Sequence, residues 1–112
     1  MDIIEEAVGT TMVLNPAGRI DSQTSLAFEQ VVLQVLDSHE RLLIDFSRVP
    51  YISSAGLRVV LIAAKKLSGA EGRFALCGLN AGIQEVFRIA GFVKILKIFD
   101  TRAQALAGME AG

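Results

Sequence analysis

A chain of 112 residues has room for one hydrophobic core, and 52% apolar with 21% charged residues excludes a disordered polymer. Eleven lysines and arginines against twelve acids leave a formal charge of -1, which excludes the basic field that a nucleic-acid partner ordinarily requires. Cys77 is the single cysteine, so an internal disulfide and a structural zinc site are both excluded, and a reducing, cytoplasmic setting is expected.

The opening M-D-I-I-E-E carries acids where a secretory leader would carry bases, and a short strand is expected over Ile3 to Val8. Thr10 to Leu14 has the β-branched enrichment of a second strand, and N-P-A-G at 15–18 has turn chemistry. These two strands can pair locally. Beyond Gly18, Ile20 is apolar and Asp21 opens a polar stretch. A helix is expected from Ser25 to about His39, with Leu26, Val32, Leu33 and Leu36 on its apolar face. His39 then falls in a solvent-facing loop.

Arg41 to Phe46 reads as the clearest strand, because Leu42, Leu43 and Ile44 are consecutive and a strand covered on both faces needs no alternation. Asp45 breaks that run, and a carboxylate there caps a loop or serves a site. Pro50 biases Val49 toward an extended conformation, which ends the strand. From Ala55 the pattern is helical, with Leu57, Val60, Leu61, Ala64 and Leu67 on one stripe and Lys65 and Lys66 favourably placed in the last turns. Gly69 and Gly72 are expected to end it. Arg73 to Cys77 is a further strand, and Ile83, Val86, Phe87 and Ala90 form the apolar face of the next helix, with Gly91 as its C-cap. Phe92 to Phe99 reads as loop plus strand, with Phe92, Val93 and Ile95 expected in the core, partial exposure being the alternative. Asp100 or Thr101 can cap a last helix, Arg102 to Met109. Alternating strands and helices predict an α/β fold: a mostly parallel sheet of four to five strands with right-handed crossovers and about four packed helices, in a single domain over residues 1–112.

Chemistry is conspicuous by what is missing. No segment supplies the roughly 18 to 20 apolar residues of a membrane span, so direct insertion is not expected. Ser53 and Ser54 lack the glycine of a nucleophile elbow, and no histidine stands ready to activate either. Asp21, Asp45 and Ser54 make a poor catalytic set, because a carboxylate alone is a weak base toward a serine hydroxyl. The glycines at 69, 72, 78 and 82 never assemble a phosphate-gripping loop, and Glu5 and Glu6 sit at the start of the chain rather than across a cleft. No catalytic residue, metal site or cofactor is therefore expected, and the chain is read as a binding protein rather than an enzyme.

V-P-Y-I-S-S-A-G-L at 49–57 puts two small hydroxyls at the corner between strand and helix. One serine there explains itself, since an N-cap oxygen accepting a first-turn N–H is worth about 1 kcal/mol. Either Ser53 or Ser54 satisfies that need, and Gly56 permits a close approach or a tight turn. The second serine is left without a local reason.

D-F-S-R-V-P-Y-I-S-S-A-G-L-R-V, residues 45–59, resembles the signature of the STAS domain, in particular the small bacterial anti-sigma factor antagonists. G-R-I-D at 18–21 and G-L-N-A-G-I-Q-E-V-F-R-I-A-G-F at 78–92 extend the resemblance over nearly the whole chain. The resemblance implies partner switching: the dephosphorylated antagonist binds an ATP-dependent serine kinase that is also the anti-sigma factor, phosphorylation releases it, and a PP2C-type phosphatase restores it. The family register implies Ser54 as the phosphorylated residue, with Ser53 the second candidate. Ser53 stands where the family has an aspartate, and Ala55 where it has a serine or threonine. Asp21, Ser53, Ser54, Ala55 and Gly56 are the implied partner-binding residues, with Arg58 and Ile62 added as exposed positions of the same helix. The competing expectation is a noncatalytic STAS binding module in a signalling scaffold or lipid-transport assembly.

Overall fold

The computed structural model describes residues 1–67 and 73–111. Strands β1 (Asp2–Val8) and β2 (Thr11–Ala17) form an antiparallel hairpin whose turn is Gly9 and Thr10, with Gly9 at positive φ. Helix α1 (Ser25–Ser38), strand β3 (Leu42–Asp45), helix α2 (Ser54–Lys66), strand β4 (Phe74–Cys77), helix α3 (Ala81–Ile89), strand β5 (Ile98–Phe99) and helix α4 (Arg102–Ala111) follow, with a 3-10 turn at Phe92–Lys94 before β5. The sheet order is β1-β2-β3-β4-β5, and every pairing after the hairpin is parallel.

Topology decides where the helices lie. Three successive right-handed crossovers that advance in one direction across a sheet all fall on the same face. Phe28, Val32 and Val35 of α1, Val59, Val60 and Ala63 of α2, and Ile83 and Phe87 of α3 accordingly share one core with Leu14, Leu42, Ile44 and Leu76. Helix α4 covers the other face, where Ala105 and Met109 meet Val13, Leu43, Ala75 and Cys77. Side chains of one strand alternate between the two cores, so the unbroken Leu42–Leu43–Ile44 run is a strand buried on both sides, as its composition predicts.

Several expectations are corrected. N-P-A at 15–17 is strand rather than turn: β1 pairs along the whole of β2, opposing Ile3 to Pro16, while the ladder to β3 ends at Leu14. Pro16 thus lies outside the doubly paired stretch, where a missing N–H is tolerated. Leu26 is 64% exposed, because α1 presents Phe28, Val32 and Val35 to the sheet instead. The buried stripe of α2 is rotated onto Gly56, Val59, Val60 and Ala63, with Leu57, Leu61 and Ala64 at its border. Val86 and Ala90 face outward, leaving Ile83 and Phe87 to anchor α3. Val93 and Ile95 are exposed and Phe92 is half-buried, stacked edge-on against Phe87. Ala90 is the C-cap of α3, with Gly91 following it in the left-handed region. Gly69 and Gly72 lie outside the described residues; α2 itself ends at Lys66 with Leu67 as its cap. Among the described residues no helix is long and apolar enough to cross a membrane.

Candidate functional site

The double serine sits at the C-terminal edge of the parallel strands, on a corner held by two neighbouring loops. The segment after β2 runs alongside the segment after β3: the Gly18 N–H donates to the Arg48 carbonyl (3.0 Å), the Ile20 N–H to the Tyr51 carbonyl (2.9 Å), and the Ser53 N–H to the Ile20 carbonyl (2.8 Å). Ile20 and Ile52 form a parallel bridge, and both side chains are buried. Gly56 packs directly upon them. A Cβ at that position would lie 2.6 Å from Ile52 Cγ1 and 2.7 Å from Ile20 Cγ2, so glycine is what lets α2 begin this close to the bridge.

The two serines divide their tasks. Ser53 is the N-cap of α2, in extended backbone, its Oγ accepting a long hydrogen bond of 3.4 Å from the Gly56 N–H. Ser54 is the first helical residue, is exposed, and its hydroxyl bonds to no other described residue. Residues one turn apart share a helix face, so Arg58 lies on the Ser54 side of α2. Arg58 Nη1 donates to Glu29 Oε1 of α1 at 3.1 Å. Ala55 and Ile62 are half-buried.

Asp21 is built into the adjoining turn. Its Oδ1 accepts from the Gln23 N–H (2.9 Å), the Thr24 N–H (3.2 Å) and the Thr24 hydroxyl (3.3 Å). The Gln23 hydrogen bond, then those from Thr24 and the charge of Arg19, outweigh desolvation and hold the carboxyl below its usual range. Arg19 in turn lies over the Tyr51 ring at 4.3 Å and 3.8 Å from Asp21 Oδ2. Asn80 buttresses the corner from the β4 side. It caps α3 through Oδ1, which accepts from the Ile83 N–H at 2.8 Å, and donates from Nδ2 to the Pro50 carbonyl at 3.1 Å. Asp21, Ser53, Ser54, Ala55, Gly56 and Arg58 are thus brought to one corner, with Gly56 beneath its surface and Ile62 two turns along α2.

Asp45 serves the interior instead. It is buried, and its Oδ1 accepts from the Ser47 N–H (2.9 Å) while Oδ2 receives Asn15 Nδ2 (3.2 Å) and Arg102 Nε (3.0 Å). Burial pushes this carboxyl up, but the Ser47 hydrogen bonds and the Arg102 guanidinium together hold it below the ordinary value. Cys77 is pushed up to about 12 by burial and by the Asp45 charge, which leaves it a protonated apolar filler rather than a nucleophile. Asn80, Tyr51, Glu29 and Arg102 are roles that the sequence reading missed. Asparagine before a helix is a cap pattern, but its reach to residue 50, and the pairings of the other three, depend on tertiary placement.

Comparison with known proteins bears on the family and the fold. The sequence model of the STAS domain matches residues 3–105. BtrV of Bordetella bronchiseptica, named as a candidate anti-sigma factor antagonist, is 41% identical over 81 residues, covering 72% of this chain and 70% of its own. RsfB of Mycobacterium tuberculosis, an anti-sigma-F factor antagonist by name, is 29% identical over 101 residues, covering 89% and 82%. The crystal structure of an anti-sigma factor antagonist from Mycobacterium paratuberculosis superposes with a TM-score of 0.90 at 27% identity, over 97% of this chain and 93% of that one.

Proposed function

The chain belongs to the STAS domain family, and from that premise we propose that it is an anti-sigma factor antagonist that switches partners by phosphorylation of Ser54. The unmodified corner binds a serine-kinase anti-sigma factor. In the transfer step Ser54 Oγ attacks the γ-phosphorus of ATP, the bond to the bridging oxygen breaks, ADP leaves, and the hydroxyl proton passes to a base on the kinase. A PP2C-type phosphatase hydrolyses the ester and restores the first state. The chain contributes a reachable hydroxyl and its partners contribute the catalysis, in keeping with a binding protein.

The observation that carries this reading is the division of labour at the corner: Ser53 serves as the cap, while Ser54 is exposed and its hydroxyl bonds to no other described residue. Phosphate adds about -1.5 to -2 charges to a surface built around a neutral hydroxyl, and a docked partner must then desolvate or repel it. The modified chain tolerates the same charge at the positive end of α2. Release therefore needs no unfolding.

The test is to incubate the purified chain with the serine-kinase anti-sigma factors of its own genome and ATP, locating added phosphate by mass spectrometry. Phosphate at Ser54, with weakened kinase binding, is expected. Ser54→Ala should keep binding and lose release, and Ser54→Asp should bind more weakly. Equal incorporation into Ser54→Ala would overturn the assignment, and stable binding with no phosphate would indicate a constitutive binding module.

A further inference from the structure

Arg58 follows Ser54 by four residues in α2, a spacing that places the two Cβ atoms roughly 5–6 Å apart on one strip of the helix. Helical side chains lean toward the N-terminus and cover the preceding turn, so the turn that holds Ser54 is within reach of the Arg58 guanidinium. In the unmodified chain that guanidinium is drawn sideways to Glu29 of α1. This is the one ion pair joining α1 to α2 among the described residues, and it is solvent-accessible, with side-chain exposures of 67% and 21%. Accessible pairs of this kind are weak and readily exchanged.

We propose that Arg58 is a switch arm: it pairs with Glu29 while Ser54 is bare and moves to the phosphate once Ser54 carries one. The proposal rests on the reading of Ser54 as the acceptor. Three physical arguments favour the exchange. A phosphoserine brings more charge and more acceptor oxygens than one carboxylate, arginine binds phosphate as a two-pronged fork, and an anion four residues N-terminal to a cation is the favourable order on a helix. Another cation near the corner, Arg19, is engaged by the Tyr51 ring and by Asp21. Moving the arm strips Glu29 of its partner, so modification at one residue changes the charge presented by α1 as well as α2. A partner spanning both helices then meets two altered positions with no displacement of the backbone.

The experiment installs phosphoserine at position 54 during translation with an expanded genetic code, so that no kinase is involved. Phosphorus NMR titration then gives the second phosphate pKa, and proton–nitrogen NMR follows the Arg58 side-chain N–H. The phosphate of the parent chain should titrate about 0.3 lower than that of Arg58→Gln, the size an exposed pair at this spacing gives, while Arg19→Gln should match the parent. Glu29→Gln should shift the Arg58 signal in the bare protein and leave it unmoved in the phosphorylated one, where the signal should follow the phosphate titration. An identical phosphate pKa in Arg58→Gln, or an Arg58 signal blind to that titration, overturns the switch arm and leaves Ser54 as acceptor untouched. Failure of the kinase assay removes the acceptor assignment while these measured couplings stand.

Discussion

Gly56 has no side chain because the corner has no space for one. Alanine in a helix interior is ordinarily favoured over glycine by about 1 kcal/mol, but here its methyl would meet branched carbons of Ile20 and Ile52 at under 3 Å, and overpacking costs about 1–3 kcal/mol. The inner carbons of two isoleucines locked in a bridge cannot swing aside as a flexible chain end would. Gly56→Ala should therefore lower the urea midpoint, with a net loss of about 1 kcal/mol, against the propensity gain. A midpoint at or above the parent's would show slack in the corner. Close approach at Gly56 was one of two readings the sequence left open, a tight turn being the other, and the atoms it approaches were not legible: Ile20 and Ile52 meet only when two loops run side by side. The two serines follow the same rule. That one of them caps was legible, and which one became plain only from where the first helical residue falls.

Helix α4 is an element with little apolar purchase, since Ala105 and Met109 supply its buried contacts to the sheet. Polar ties add to this anchorage at both ends: Arg102 reaches Asp45 at the end of β3 and Glu6 on β1, and Arg41 Nη1 donates to the Met109 carbonyl at 2.7 Å. Hydrogen bonds to charged partners contribute about 1.5–3 kcal/mol, and a buried charge left alone costs its desolvation. Asp45→Ala and Arg102→Ala should each destabilise by about 2 kcal/mol, and the double variant should cost less than their sum by at least about 1 kcal/mol, as for residues in direct contact. Urea denaturation gives the cycle, and hydrogen exchange should show α4 opening before the parallel strands. Strict additivity would mean that the pair is incidental. The sequence marked Asp45 as a loop cap or site residue, and the Ser47 N–H bears out the cap, but nothing in a local window points 57 residues ahead to Arg102. Elements read from local periodicity held best where burial was heaviest, as in β3. They failed where a neighbour decided the outcome: β1 draws β2 on through Pro16, and the exposure of Leu26, Val86 and Ile95 follows from which side of each segment the sheet occupies.

At the scale of the molecule, the ionisable groups in the fold set both ends of its pH range. Asp21 and Asp45 have folded values below the 3.8 of the free carboxyl, so folding favours their charged forms. Their stabilisation is complete above that value and is lost as pH falls through the lower folded values, because the unfolded chain then binds more protons. Cys77 has the opposite sign. Its folded value of about 12 lies above the 9.0 of a free thiol, so its contribution is complete below 9.0 and is lost as pH rises toward 12. Over that window the unfolded thiol ionises first, and stability falls by up to about 1.4 kcal/mol per pH unit. Cys77→Ala creates a small cavity whose cost is independent of pH, but it removes this slope. Thermal midpoints from pH 8 to 11 should therefore fall less steeply for Cys77→Ala than for the parent, while the two acid limbs run parallel. Asp45→Asn should flatten the acid limb and, because the Asp45 charge also raises the thiol, make the alkaline limb less steep as well. Parallel alkaline limbs for the parent and Cys77→Ala would mean that the thiol ionises as easily in the folded core as in water, which the packing of Val13, Leu43 and Ala75 around it under α4 argues against.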